Sequence, residues 1–164
     1  MVKKMIVSLI FTGDFAPCRG FEPVAISKGA AIFGDLEAGI TAADVAFVNL
    51  EVPFCLGGMG IAKSGPNLRA HPDCVRALAE AKFDVIGLAN NHLMDFGSDG
   101  LKETMQVCQK AGLTICGSGT DLAEAQRPII INKKKVKIAF IAVAEHESSI
   151  AETKKTWCRS TGPH

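Results

Sequence analysis

The chain has 164 residues, 48% of them hydrophobic, with 18 basic against 17 acidic side chains and a formal charge of +1. That length and apolar content suit one folded unit with a sizeable core and argue against disorder, while the balanced charge argues against a nucleic-acid or acidic-lipid partner. The six cysteines are scattered, with no CxxC pair and no zinc-module spacing, so they read as reduced thiols, several of them in the core.

Met5-Ile6-Val7-Ser8-Leu9-Ile10-Phe11 follows Lys3-Lys4 and faintly imitates a signal peptide, but it runs into Gly13-Asp14 without a small-residue cleavage site. It reads as a first strand, delivering Gly13-Asp14 and then Arg19 into a Gly- and Pro-rich loop. No stretch approaches the roughly twenty apolar residues that span a bilayer, so a soluble chain is expected, with its compartment left open. Ala31 to Ala43 carries Ile32, Leu36 and Ile40 on one helical face. Asp44 to Val48 forms a second strand ending in Asn49-Leu50-Glu51, which Pro53 bars from continuing. Phe54 to Ala70 shows little periodicity and is a long loop with two polar anchors, Lys63 and Arg69; long loops in compact domains are often functional.

Asp73 to Ala81 has helical spacing, and Phe83 to Ala89 is a short apolar run expected of a strand buried on both faces. After it come Asn90, Asn91, His92 and Asp95, then Gly97. Reactive side chains at the carboxyl end of a buried strand lie where open α/β sheets bind ligands. Singly, Asn90 and Asn91 are turn formers, but four such groups within six positions point to a site. Ser98 to Ala111 is helical and Gly112 stops it. Leu113 to Cys116 is a short strand, and Gly117-Ser118-Gly119-Thr120-Asp121 opens a brief helix through Ala125. Arg127 to Ile131 and Val136 to Val143 form an antiparallel pair around Lys133-Lys134-Lys135, read as a turn with solvated charges. The domain is placed at 1–143, with an irregular tail over 144–164.

Three strand ends carry groups that could converge on a metal. Asp14 and Glu51 offer carboxylates and Asn91 a carbonyl oxygen, a set suited to Mg²⁺ or Mn²⁺, or to Zn²⁺ or iron if imidazoles join. His92 could pass a proton to a leaving oxygen, with Asp95 orienting its ring. Arg19, Lys63 and Asn90 could hold an anionic substrate, whereas Arg69 reads as a solvated charge. Asp14 is equally a turn residue and Glu51 equally a strand-end charge. A nucleotide reading of Gly117-Ser118-Gly119 is weak, because Leu122 stands where a dinucleotide fingerprint has its third glycine. A Cys-His nucleophile reading is weaker still, since no cysteine has an activating context.

The order Gly13-Asp14 with Arg19, Asn49-Leu50-Glu51, Lys63, Ala89-Asn90-Asn91-His92 with Asp95 and Gly97, then Gly117-Ser118-Gly119 resembles the capsule-synthesis CapA family associated with poly-γ-glutamate. The resemblance covers roughly Ile6 to Val143. It implies an α/β fold, a sheet flanked by helices, that forms the first half of a calcineurin-like metallophosphoesterase sandwich. It also implies a divalent metal on Asp14, Glu51 and Asn91, with His92 as catalytic histidine. Ala16 stands where the phosphoesterase Asp-x-His pattern has its histidine, and His146 and His164, the only later histidines, lie in no matching motif. The resemblance therefore implies an amino-terminal portion, a truncated form with weakened metal affinity and little activity alone. The implied substrates are a phosphoester or an anionic polymer, the implied partners capsule-assembly proteins. The alternative is a non-catalytic binding component of capsule assembly.

Overall fold

The computed structural model describes residues 5–145 and Trp157–Cys158. Four parallel strands form the main sheet in the order β1 (Leu9–Phe15), β2 (Val45–Leu50), β3 (Val85–Gly87) and β4 (Thr114–Cys116). Between β1 and β2 lie α1 (Glu22–Lys28), a 3-10 turn (Gly29–Phe33) and α2 (Leu36–Ala42); α3 (Val75–Glu80) precedes β3, and α4 (Gly97–Lys110) joins β3 to β4. This is the α/β sheet flanked by helices that the sequence implied, consistent with a partial metallophosphoesterase-like fold.

The sheet separates two apolar clusters, as the period-2 alternation of strand side chains requires. Ala46, Val48 and Leu50 of β2 and Ile86 of β3 pack with Leu78 of α3 and with Leu101 and Cys108 of α4. Val45, Phe47 and Val85 point the other way, against the hairpin β6 (Ile129–Lys133) and β7 (Val136–Phe140). There Phe47 stacks on Phe140 with ring centroids 6.1 Å apart and planes 4° from parallel. All three residues of β3 are buried, as its apolar composition predicts for a central parallel strand.

Several expected boundaries move. The first strand starts at Leu9, not Met5, and runs to Phe15, because its partner β2 begins only at Val45, in register with Leu9. The Gly- and Pro-rich stretch expected as a loop contains α1: Pro23 sits in the first turn, where a missing N–H costs nothing. The single helix expected over 31–43 is split at Gly34, whose φ of +54 leaves the helical region. The lysine turn has φ of +48 and +63 at Lys134 and Lys135, the paired positive values of a tight hairpin turn. Lys134 is more than a solvated charge, for its Nζ lies 2.7 Å from Asp44 Oδ2 and donates to the Ile6 carbonyl, fastening the hairpin to the base of the sheet.

A short pair, β5 (Ser118–Gly119) with β8 (Trp157–Cys158), stands apart from the main sheet, with α5 (Leu122–Ala125) following β5. Gly117, at φ +86, explains the glycines here by close packing: a Cβ on it would lie 2.7 Å from Ala142 Cβ and 2.8 Å from Ala89 Cβ. Most of the tail expected over 144–164, including His146 and His164, lies outside the described residues.

Candidate functional site

The parallel sheet brings the carboxyl ends of β1, β2 and β3 side by side, and each contributes polar groups. The register of β1 on β2 shifts between Phe11 and Asp14, so that Asp14 pairs with Asn49 rather than falling one residue out of step. An extra residue in one strand re-aims the side chains beyond it. Here it sets Asp14 beside β2's polar end.

Asn49 is the hub. Its Nδ2 donates to Asp14 Oδ1 at 2.8 Å and to Glu51 Oε2 at 2.7 Å, one bond to each carboxylate. Its Oδ1 accepts from Asn90 Nδ2 at 3.3 Å. Asn90 also donates to the Leu50 carbonyl at 2.8 Å, and its Oδ1 accepts the backbone N–H groups of His92 (3.1 Å) and Leu93 (2.8 Å). Asn90 thus ties the His92 loop to the end of β2, an Asx-type turn carrying a second, longer-range bond. Glu51 is half-buried, and burial raises its pKa; the charges of Asp14 and Asp95 add to the rise, against the Asn49 bond and His92.

Next to this cluster, His92 Nδ1 lies 2.8 Å from Asp95 Oδ2. Asp95 is fully buried; its other oxygen takes the ammonium of Lys63, whose side chain is 7% exposed, and Oδ2 also accepts the Leu68 N–H at 2.6 Å. The structure therefore gathers Asp14, Glu51, Asn90, His92, Asp95 and Lys63 at one end of the sheet, with Lys63 bound to Asp95 rather than presented outward. Asn91 is exposed and lines a pocket of about 240 Å³ with Asn90, Ala144 and Glu145. Arg19 lies exposed in the turn after β1 and makes no hydrogen bond or ion pair with this network among the described residues. Arg69 lies over the Phe96 ring, 4.8 Å from its centroid, a cation–π contact rather than a purely solvated charge.

Asn49 is the residue that sequence reasoning named only as part of a motif. Its signal was the strand-end position between two predicted carboxylates. Two carboxylates sharing one amide are hard oxygen donors short of positive charge, which suits a Mg²⁺- or Mn²⁺-type cation that keeps waters in its shell. Among the described residues no group of three or more His, Cys, Asp or Glu side chains gathers to hold a metal ion. Burial pushes the thiol of Cys108 up to about 12 and those of Cys55, Cys74 and Cys116 up to about 11, which makes these four poor nucleophiles. No described helix is long and apolar enough to cross a membrane.

The bacterial capsule synthesis protein PGA_cap family matches residues 8–163. A Mycobacterium tuberculosis protein named "Probable polyglutamine synthesis accessory protein" is 35% identical over 109 residues, 66% of this chain and 29% of the relative. The PGA biosynthesis protein CapA of Bacillus subtilis is 33% identical over 130 residues, covering 78% and 34%, and the capsule biosynthesis protein CapA of Bacillus anthracis 32% identical over 79 residues, covering 48% and 19%. The match thus spans about a third or less of the length of these relatives. With the family matched over nearly the whole chain, and the strand-end residues of the resemblance gathered in space, this chain belongs to the bacterial capsule synthesis protein PGA_cap family.

Proposed function

We propose that this chain carries the strand-end half of a metal-assisted site that cleaves or transfers at a phosphoester or a γ-glutamyl amide during synthesis or processing of a poly-γ-glutamate capsule. The observation that carries the reading is the convergence of Asp14 and Glu51 on the single Asn49 amide, beside the His92–Asp95 pair. Asp14 and Glu51, with the carbonyl of Asn91, would hold the cation. When bound, it would polarise the scissile bond and acidify the attacking water. Asn49 keeps the two carboxylates together, and Asn90 sets the His92 loop against β2. Asp95 orients the His92 ring through Nδ1, leaving Nε2 to take a proton from water or, once protonated, to give one to the leaving oxygen or nitrogen. Capsule-assembly proteins are the proposed partners.

The non-catalytic alternative would hold an anionic polymer with Arg19 and Lys63. It draws less support, because the Lys63 ammonium is already committed to Asp95.

The test is a Mn²⁺ titration of the chain beside an Asp14→Ala/Glu51→Ala variant, followed by phosphoester and poly-γ-glutamate cleavage assays with His92→Ala. We expect binding to be lost in the double variant, and turnover to fall roughly 10²–10⁴-fold in His92→Ala while binding persists. Mn²⁺ binding unchanged by the double variant would refute the assignment.

A further inference from the structure

The long segment between β2 and α3 closes at its base, where Cys55 N–H donates to the Ala70 carbonyl and Ala70 N–H to the Pro53 carbonyl. Its far part rests on Asp95. Ile61 N–H donates to the Asp95 backbone carbonyl at 2.9 Å, Leu68 N–H to its carboxylate, and Lys63 Nζ to the other carboxylate oxygen. Asn67 Nδ2 then bonds the Ile61 carbonyl at 3.0 Å, folding the segment on itself. One buried carboxylate is therefore shared between a loop and a histidine.

The sharing constrains His92. Its Nδ1 lies 2.8 Å from Asp95 Oδ2 and 3.2 Å from Lys63 Nζ. An ammonium can only donate and an ionised carboxylate can only accept, so one ring nitrogen cannot satisfy both. The shorter contact, to the carboxylate, assigns the hydrogen to Nδ1. Nε2 keeps its lone pair and has no hydrogen-bond partner among the described residues. Lys63 then contributes nothing directly to the ring; it acts on Asp95, holding Oδ1 while His92 and Leu68 hold Oδ2.

We propose that Lys63 is a positioning residue for His92: by holding the buried Asp95, it clamps residues 56–69 over the His92 loop and fixes the ring as the Nδ1–H tautomer with Nε2 left for the strand-end site. The positioning role rests on the functional reading above, but its structural content is read without substrate or cation. Removing the ammonium leaves a buried carboxylate without its cation and with one oxygen unheld. It then turns or draws in water, and the bond to Nδ1 opens with the loop.

The experiment compares Lys63→Met and Lys63→Arg with the parent chain by amide exchange at Ile61 and Leu68 and by the ¹H–¹⁵N resonance of the His92 Nδ1–H, identified by its loss in His92→Gln. In Lys63→Met we expect amide exchange to quicken at least roughly tenfold, as for loss of a charged hydrogen bond, and the ring N–H signal to vanish by exchange with water. Lys63→Arg should recover both in part. Unchanged loop and ring signals in Lys63→Met would overturn the proposal; an opened loop with an intact ring signal would also overturn it, leaving Lys63 a loop anchor alone. If Lys63→Met does not fold, Lys63→Met/Asp95→Asn removes both charges, and parent-like exchange at Ile61 in that pair would be equally fatal. Because neither the exchange signal nor the ring signal needs turnover, an inactive but clamped protein would fail the functional reading and not this one.

Discussion

Asn49→Asp replaces the shared donor between Asp14 and Glu51 with a third carboxylate of nearly the same shape. Two charge-assisted bonds, at 2.8 and 2.7 Å, are lost, each worth about 1.5–3 kcal/mol when well shielded and less on the exposed Asp14 side. Repulsion among three carboxylates would exceed that, but the protein can take up a proton instead. Protonating a group of ordinary pKa near 4 at pH 7 costs about 4 kcal/mol, which caps the penalty. We therefore expect a loss of about 2–4 kcal/mol at pH 7, a fall in Tm of roughly 5–15 °C for a chain of this size. The sign with pH follows from linkage. The crowded carboxylates have folded-state pKa values raised above the unfolded ones, so the penalty is absent below the ordinary carboxylate range and grows as pH rises through it. The gap between variant and parent should narrow from pH 7 to about pH 4.5. Asn49→Leu, which removes the donors without adding charge, should show a smaller loss that also fades as pH falls through the carboxylate range, because the Asn49 bond favours the ionised form of Glu51. Thermal unfolding at several pH values, with and without Mg²⁺, measures all of this, and the cation should narrow the Asn49→Asp gap. A variant that melts within about 1 °C of the parent at pH 7 would refute the shared-amide geometry.

Two other outcomes follow from buried or fastened groups. Thr104 is fully buried, its Oγ1 accepting the Phe54 N–H at 3.0 Å and donating to the Gly100 carbonyl at 2.7 Å, so Thr104→Val strands the Phe54 N–H at the base of the long loop. It should cost about 1–3 kcal/mol, seen as a lower urea midpoint at unchanged slope, with Thr104→Ser recovering most of it. Asp44 has its pKa lowered to about 2, chiefly by Lys134 and then by the Ser8 N–H. The stability it contributes is present above its unfolded pKa of about 4 and lost as pH falls through the folded value, so hairpin amides should lose protection between about pH 4 and pH 2. Lys134→Ala should move that loss to higher pH, and an exchange profile independent of Lys134 would contradict the tether.

What could be read locally was legible. The apolar run at Val85-Ile86-Gly87 reads as a buried strand because a strand covered on both faces needs no alternation. The positive-φ lysine turn was found from the apolar segments that flank it. What failed was local chemistry that serves two structures: Pro23 reads as a loop former, yet in the first turn it starts a helix, and Gly34 interrupts an apolar periodicity that otherwise runs through it.

The site divides in the same way. The amino-acid order alone determined which side chains stand at the ends of β1, β2 and β3, because strand period and breaker residues fix where each strand releases the chain. Only the tertiary structure decided how those ends align. The register shift in β1 sets Asp14 beside Asn49, the parallel pairing brings Asn90 against β2, and the long loop returns Lys63 to Asp95 across a sequence separation of 32 residues. Hydrogen bonds between residues so far apart depend on strand register and loop closure, which no local pattern encodes. For that reason the sequence offered Lys63 as an anion anchor, and its pairing with Asp95 came only from the fold.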